Sequence, residues 1–68
     1  MTSFTSLQLE ILKIAKEKGF VTHEDFNRVY SSPISRKANL ERFLALQVLN
    51  IDGVNFKLNS KKLTENEN

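Results

Sequence analysis

Hydrophobic and polar positions follow two different rhythms along this chain. From Ser6 to Lys18 the apolar residues Leu9, Leu12 and Ala15 recur at helical spacing with Ile11 beside them, while Glu10, Lys13, Lys16 and Glu17 take the wet side. Thr5 or Ser6 stands where an N-cap belongs, and Phe4 is placed to fold back as a hydrophobic staple. Lys16 and Lys18 fall in the last turn, where the helix dipole favours cations, and Gly19 supplies a left-handed stop. Phe20-Val21 is long enough for a brief strand. Thr22-x-x-Asp25 then opens a second helix as a capping box with Asp in place of the usual Glu, and Glu24 and Asp25 suit its positive end. Phe26, Val29 and Tyr30 supply its buried face, with Asn27 and Arg28 pointing outward.

Ser31-Ser32-Pro33 closes that helix, because the residue before a proline disfavours helical geometry. Ile34 is expected to plug the turn into the core. A third helix starts from a Ser32 cap with Pro33 in its first position, or from Ser35, and runs to Leu46 or Gln47. Advancing ~100° per residue, Leu40, Phe43 and Leu44 share one side with Gln47 near them, and Ser35, Ala38, Asn39, Arg42 and Ala45 share the other. That second side carries small residues, one amide and one arginine where a random surface favours several Lys and Glu. Small residues let a partner approach closely, and Asn and Arg are the side chains that pair two-pronged with adenine and guanine edges. An ordinary surface helix with helix-forming alanines accounts for the same residues.

Beyond this helix the rhythm becomes alternating. Leu49, Ile51, Val54, Phe56 and Leu58 are apolar, and Asn50, Asn55 and Lys57 are polar. Asp52-Gly53 between them predicts a hairpin with a two-residue type I′ turn. That turn sets Ile51 against Val54 and Leu49 against Phe56, all on one face. A lone hairpin is marginal in water, so this face must lie on the helices. Residues 59–68 hold only Leu63 as an apolar side chain and read as a disordered tail, just as residues 1–5 read as a frayed start. The expected folded body is therefore 6–58.

With 68 residues, the chain is one domain or a piece of one. A body this small buries only about 60% of its unfolded surface, so oligomerisation or a bound partner adds to a thin margin. The absence of Cys removes disulfides and thiolate metal sites. No cationic leader precedes an apolar run, and no run approaches the ~20 residues that span a bilayer, which leaves the cytoplasm, or the nucleoid or nucleus, as the expected location. The net charge of +2 and pI near 9.2 permit nucleic-acid binding without demanding it. The cations are grouped, with Arg36, Lys37 and Arg42 on the third helix and Lys57, Lys61 and Lys62 after the hairpin turn. Catalytic chemistry is poorly supplied. His23 is a lone histidine at a helix start, Glu24 and Asp25 have a capping role, and neither metal-ligand spacing nor a phosphate-cradling glycine loop occurs. No enzyme activity, cofactor, membrane contact or small-molecule substrate is expected.

The order of helix, short strand, short helix, turn, longer helix and hairpin is mainly α with a small β-hairpin. Over residues 7–58 the chain resembles the winged-helix (winged helix-turn-helix) family. The resemblance is carried by Phe20-Val21-Thr22 before the second helix, Ile34-Ser35 entering the third, Leu40–Leu44 inside it, and the Asp52-Gly53 hairpin. It implies three helices with a two- or three-stranded wing sheet and a third helix that enters the major groove of double-stranded DNA. On that resemblance Ser35, Ala38, Asn39 and Arg42 face base edges, Arg36 and Lys37 reach phosphates from the helix start, and Lys57, Lys61 and Lys62 add phosphate contacts from the wing side. The function so implied is that of a small transcriptional regulator or DNA-binding accessory domain. A second expectation is an adaptor or dimerisation module without DNA binding, a homodimer or part of a larger protein complex. It draws on the modest net charge, the acidic residue Asp52 at the wing tip, and Leu46 on a partly exposed side next to Ala45.

Overall fold

Two capping boxes begin the fold. In the computed structural model, which describes residues 2–67, helix α1 spans Ser6–Lys18. Thr5 Oγ1 accepts the Gln8 N–H at 3.2 Å, and Gln8 Oε1 accepts the Thr5 N–H at 2.9 Å, so two orphan donors of the first turn are satisfied reciprocally. The buried stripe of α1 is Gln8, Ile11, Leu12 and Ala15, an i, i+3, i+4, i+7 set. Leu9, expected in the core, is 50% exposed because the stripe begins at Gln8 instead. Gly19 ends α1 at φ +85°, its N–H donating to the Ala15 carbonyl at 2.7 Å. Phe4 stacks on Phe43, with ring centroids 6.3 Å apart, so the chain before α1 is tied to the body rather than frayed.

Strand β1 is Phe20–Val21, and helix α2 is His23–Val29. Thr22 and Asp25 form the second capping box. Helix α3 is Pro33–Ala45, capped by the Ser32 hydroxyl with Pro33 in the first turn. Ile34 does not plug the turn; it is 83% exposed. The Arg36 guanidinium fills that role, with Nη1 donating to the Tyr30 carbonyl at 2.9 Å and the Ser31 carbonyl at 3.3 Å. These carbonyls follow the end of α2, where a cation is favoured.

Helix α3 closes on a full Schellman turn. The Gln47 N–H donates to the Leu44 carbonyl and the Val48 N–H to the Phe43 carbonyl, with Gln47 at φ +62°. Strands β2, Leu49–Asp52, and β3, Asn55–Leu58, follow. The sheet is antiparallel in the order β1-β3-β2, so the last strand is the central one. The hairpin register differs from the expected one: Asp52 pairs with Asn55, Ile51 with Phe56 and Leu49 with Leu58. The turn is Gly53-Val54, with a positive φ only at Gly53. A type II′ turn needs that single left-handed residue, whereas the expected type I′ turn also forces Asp52 to positive φ. Leu49 and Phe56 are buried against the helices, but Ile51, on the same face, is 70% exposed, and Val54 leaves that face for the turn, 82% exposed.

Residues 60–67 are not a tail. Ser60–Glu67 form helix α4, opened by Asn59, whose Oδ1 accepts the Lys62 N–H at 3.2 Å. Leu63, the single apolar residue of the segment, is buried with the core. Thr2 closes the structure from the other end: its N–H donates to the Asn66 carbonyl at 2.8 Å, and its hydroxyl lies 2.8 Å from Asn66 Oδ1. Among the described residues the result is a mainly helical body of four helices and a three-stranded sheet. Its core joins Ile11, Leu12 and Ala15 of α1 to Val21, Phe26, Phe43, Leu49, Phe56 and Leu63.

Two stability measurements test these features. Leu63→Ala is expected to cost about 2–4 kcal/mol in urea unfolding, as core truncations do; a change below about 0.5 kcal/mol returns α4 to a detached tail. Gln47→Gly relieves a left-handed non-glycine residue and is expected to raise stability by up to about 1 kcal/mol, read as a higher melting temperature.

Candidate nucleic-acid interface

Helix α3 presents Ile34, Ser35, Lys37, Ala38, Glu41, Arg42 and Ala45 to solvent. Phe43 is buried, and Leu40 and Leu44 are half-buried against the core. The helix is therefore rolled slightly from the expected orientation. Ser35, Ala38 and Arg42 stand outward as expected, Ile34 and Glu41 join them, and Asn39 turns toward α1. Gln8 is the reason. It is buried on α1, and its Nε2 donates to Asn39 Oδ1 at 2.9 Å, while Asn39 Nδ2 donates to the Ser35 carbonyl at 2.7 Å. A buried amide must find partners, and Gln8 finds them in Thr5 and Asn39. Both ends of the Asn39 amide are thus occupied within the protein, which leaves it poorly placed for a base edge.

The six flanking cations divide into engaged and free groups. Arg36 is half-buried and tied to the carbonyls after α2, so one side of its guanidinium is structural. Lys62 pairs with Glu65 at 3.4 Å on α4. Among the described residues, Lys37, Arg42, Lys57 and Lys61 are exposed and make no salt bridge. Lys57 projects from the sheet face opposite the helices, beside its cross-strand partners Phe20 and Asn50. Lys61 sits in the first turn of α4. Leu46, expected at a partly exposed patch, is half-buried and packed against the core.

A buried carboxylate braces the body behind this face. Asp25, 1% exposed, accepts the Thr22 N–H at 2.9 Å and the Lys18 ammonium at 2.8 Å, and it also pairs with Arg28. Burial alone raises its pKa. The Lys18 bond, the Thr22 backbone N–H, the Arg28 pair and the Thr22 hydroxyl together outweigh that and bring it from 3.8 to about 2. Thr22-x-x-Asp25 announces the cap in the sequence, but the pair with Lys18 arises only when α1 and α2 meet across β1. Tyr30 is the opposite case. Its hydroxyl is buried without a hydrogen-bond partner among the described residues. Burial raises its pKa, with a weaker opposing contribution from the Thr5 side chain.

His23 packs on an aromatic ring. Its ring meets Phe56 edge-on at 4.9 Å, and among the described residues no three potential metal ligands come together. Among the described residues, no helix is long and apolar enough to cross a membrane. Comparison of the chain with protein-family models, curated proteins and solved structures yields no match.

The Asp25 geometry fixes the sign of a pH effect. A folded pKa of about 2 lies below the unfolded value of roughly 3.9. The carboxylate therefore stabilises the fold fully above the unfolded pKa, and this contribution is lost as pH falls through the folded pKa. Its size is about 2 kcal/mol at neutral pH, trimmed by salt because Lys18 and Arg28 are partly exposed. Asp25→Asn keeps a cap acceptor and removes the charge. Urea melts of wild type and variant should differ by about 1–2 kcal/mol at pH 7 and converge near pH 2; parallel profiles remove the ion pair from the account.

Proposed function

We propose that this protein is a small winged helix-turn-helix that binds double-stranded DNA through α3, as a transcriptional regulator or a DNA-binding accessory domain. The observation that carries the reading is the pair Lys37 and Arg42, exposed on α3 without an acidic partner within the described chain and set among the small residues Ser35, Ala38 and Ala45. Small side chains admit close approach, Arg42 suits a guanine edge, and Lys37 suits a phosphate. The element order and the β1-β3-β2 sheet support the winged-helix assignment, with α4 as an addition at the C-terminal side. Lys57 and Lys61 add phosphate contacts in this reading. Arg36 holds α2 to α3, and Asn39 holds α1 to α3. No catalytic role is proposed for any residue, and no cofactor.

A second reading has its own observation. Ile34 stands 83% exposed on α3 beside Ala38, with Glu41 on the same face, and the hairpin tip shows Asp52 and an exposed Val54. An apolar residue and two acids suit a protein partner better than a phosphate backbone. In this reading the protein is an adaptor or homodimer that uses the same helix.

Fluorescence anisotropy with a mixed-sequence duplex separates the two. Lys37→Ala with Arg42→Ala is expected to weaken binding more than about tenfold at low salt, and Lys37→Ala alone to flatten the log–log salt dependence by about one. Wild-type protein that ignores the duplex and dimerises in sedimentation, with Ile34→Ser reversing the dimer, establishes the second reading instead.

A further inference from the structure

Helices α2 and α3 leave between them an open groove of about 240 Å³. Its apolar surfaces come from Phe26, Pro33 and Leu40, and its polar border from Asn27, Arg36, Lys37 and His23. Among the described residues, no carboxylate lines it. Arg36 is the informative member. Its Nη1 is spent on the Tyr30 and Ser31 carbonyls, while among the described residues Nε and Nη2 donate to nothing within the chain. A guanidinium held on one side by backbone carbonyls is pre-oriented, and its remaining donors form the fork that receives a carboxylate in two-pronged fashion. Lys37 stands one residue further along the same border and is unpaired.

We propose that this groove docks an acidic, amphipathic segment of a partner protein. One apolar side chain of the segment seats on Phe26, Pro33 and Leu40, and an adjacent Asp or Glu pairs with Arg36 and Lys37. The volume suits one large side chain, not a whole cofactor, since ligand pockets run from roughly 300 Å³ upward. Charge complementarity selects the partner: apolar walls bordered by cations and lined by no acid match a peptide that alternates Leu or Phe with Asp or Glu. The site is distinct from the duplex-facing surface except at Lys37, which borders both.

The test is a chemical-shift titration of the isotope-labelled full chain with three probes: the dodecapeptide EDLFEELLDDFE, its counterpart with every acid replaced by Lys, and a mixed-sequence DNA duplex. The acidic peptide is expected to shift the amides of His23, Phe26, Asn27, Lys37 and Leu40, with the Lys peptide inert. Asn27→Trp, an exposed position where a bulky ring covers the groove, is expected to weaken peptide binding at least fivefold and leave the duplex titration unchanged. Arg42→Ala should do the reverse, so that failure of the docking site and failure of DNA binding are told apart. Lys37→Glu, a surface change that leaves Arg36 in place, should weaken the peptide by a similar factor. The proposal is overturned by no shifts at millimolar peptide, by equal shifts with the Lys peptide, by shifts centred outside the groove, or by groove shifts that only the duplex produces.

Discussion

The ring of Phe26 is the point at which the separate elements become one body. Its centroid lies 6.2 Å from that of Phe43 of α3 and 6.0 Å from that of Phe56 of β3, both edge-on, and 6.3 Å from that of Tyr30, the residue that ends its own helix. Edge-to-face pairs satisfy the aromatic quadrupole better than sandwiches do, and they lock the angle between neighbours. A seven-residue helix has little stability of its own, so the position of α2 is owed to this contact and to the capping box at its start. The orientation of α3 follows, because Phe43 is its one fully buried side chain. The outward set on α3 is a consequence of where Phe43 is held.

Polar groups then refine what the apolar contacts allow. Gln8 and Asn39 pin the α1 flank of α3, Arg36 pins the α2 flank, and Asp25 ties Lys18 and Arg28 to the start of α2. Each is a long-range or helix-end contact in which a desolvated group has found a partner, and breaking one leaves a costly orphan. The same bonds remove side chains from the list available to an external ligand. Asn39 and one side of Arg36 are committed internally, while Lys37 and Arg42 are not. The chemistry left at the surface is what the internal contacts did not consume.

Local signals in the sequence were good guides to local structure. Thr22-x-x-Asp25, Ser32-Pro33, Gly19 and the alternating run after Gln47 each announce the element that forms there. Misreadings arose where tertiary partners decide. Leu9 and Gln8 differ by one position, and hydrophobicity favours Leu9, yet Gln8 is buried because Asn39 lies 31 residues away to receive its amide. Ile34 reads as a core plug, but the carbonyls after α2 attract Arg36 and leave Ile34 outside. Residues 59–68 are polar enough to suggest disorder. One leucine, an Asn cap and the pairing of Thr2 with Asn66 give the segment a helix. In the hairpin, Asp52-Gly53 marks the turn to within one residue, and Gly53, the one turn residue with positive φ, takes the first central position of a type II′ turn instead of the second of a type I′ turn. At the candidate interface, the grouping of Arg36, Lys37 and Arg42 is visible in the sequence, but their division into bound and free cations is not.

The central position of β3 in the sheet has a kinetic meaning. Among the described residues, strand β1 finds its sheet partner 35 positions further on, where Val21 meets Phe56, and that partner is also the strand that joins β2. During synthesis the helices can collapse around Phe26 early, but the sheet cannot close until residue 58 has emerged. Non-local pairing of this kind slows folding and leaves an open edge on the nascent chain. The half-formed protein thus passes through a helical state with its strand face unprotected, and β3, made after both of its neighbours in the sheet, is the strand that seals it.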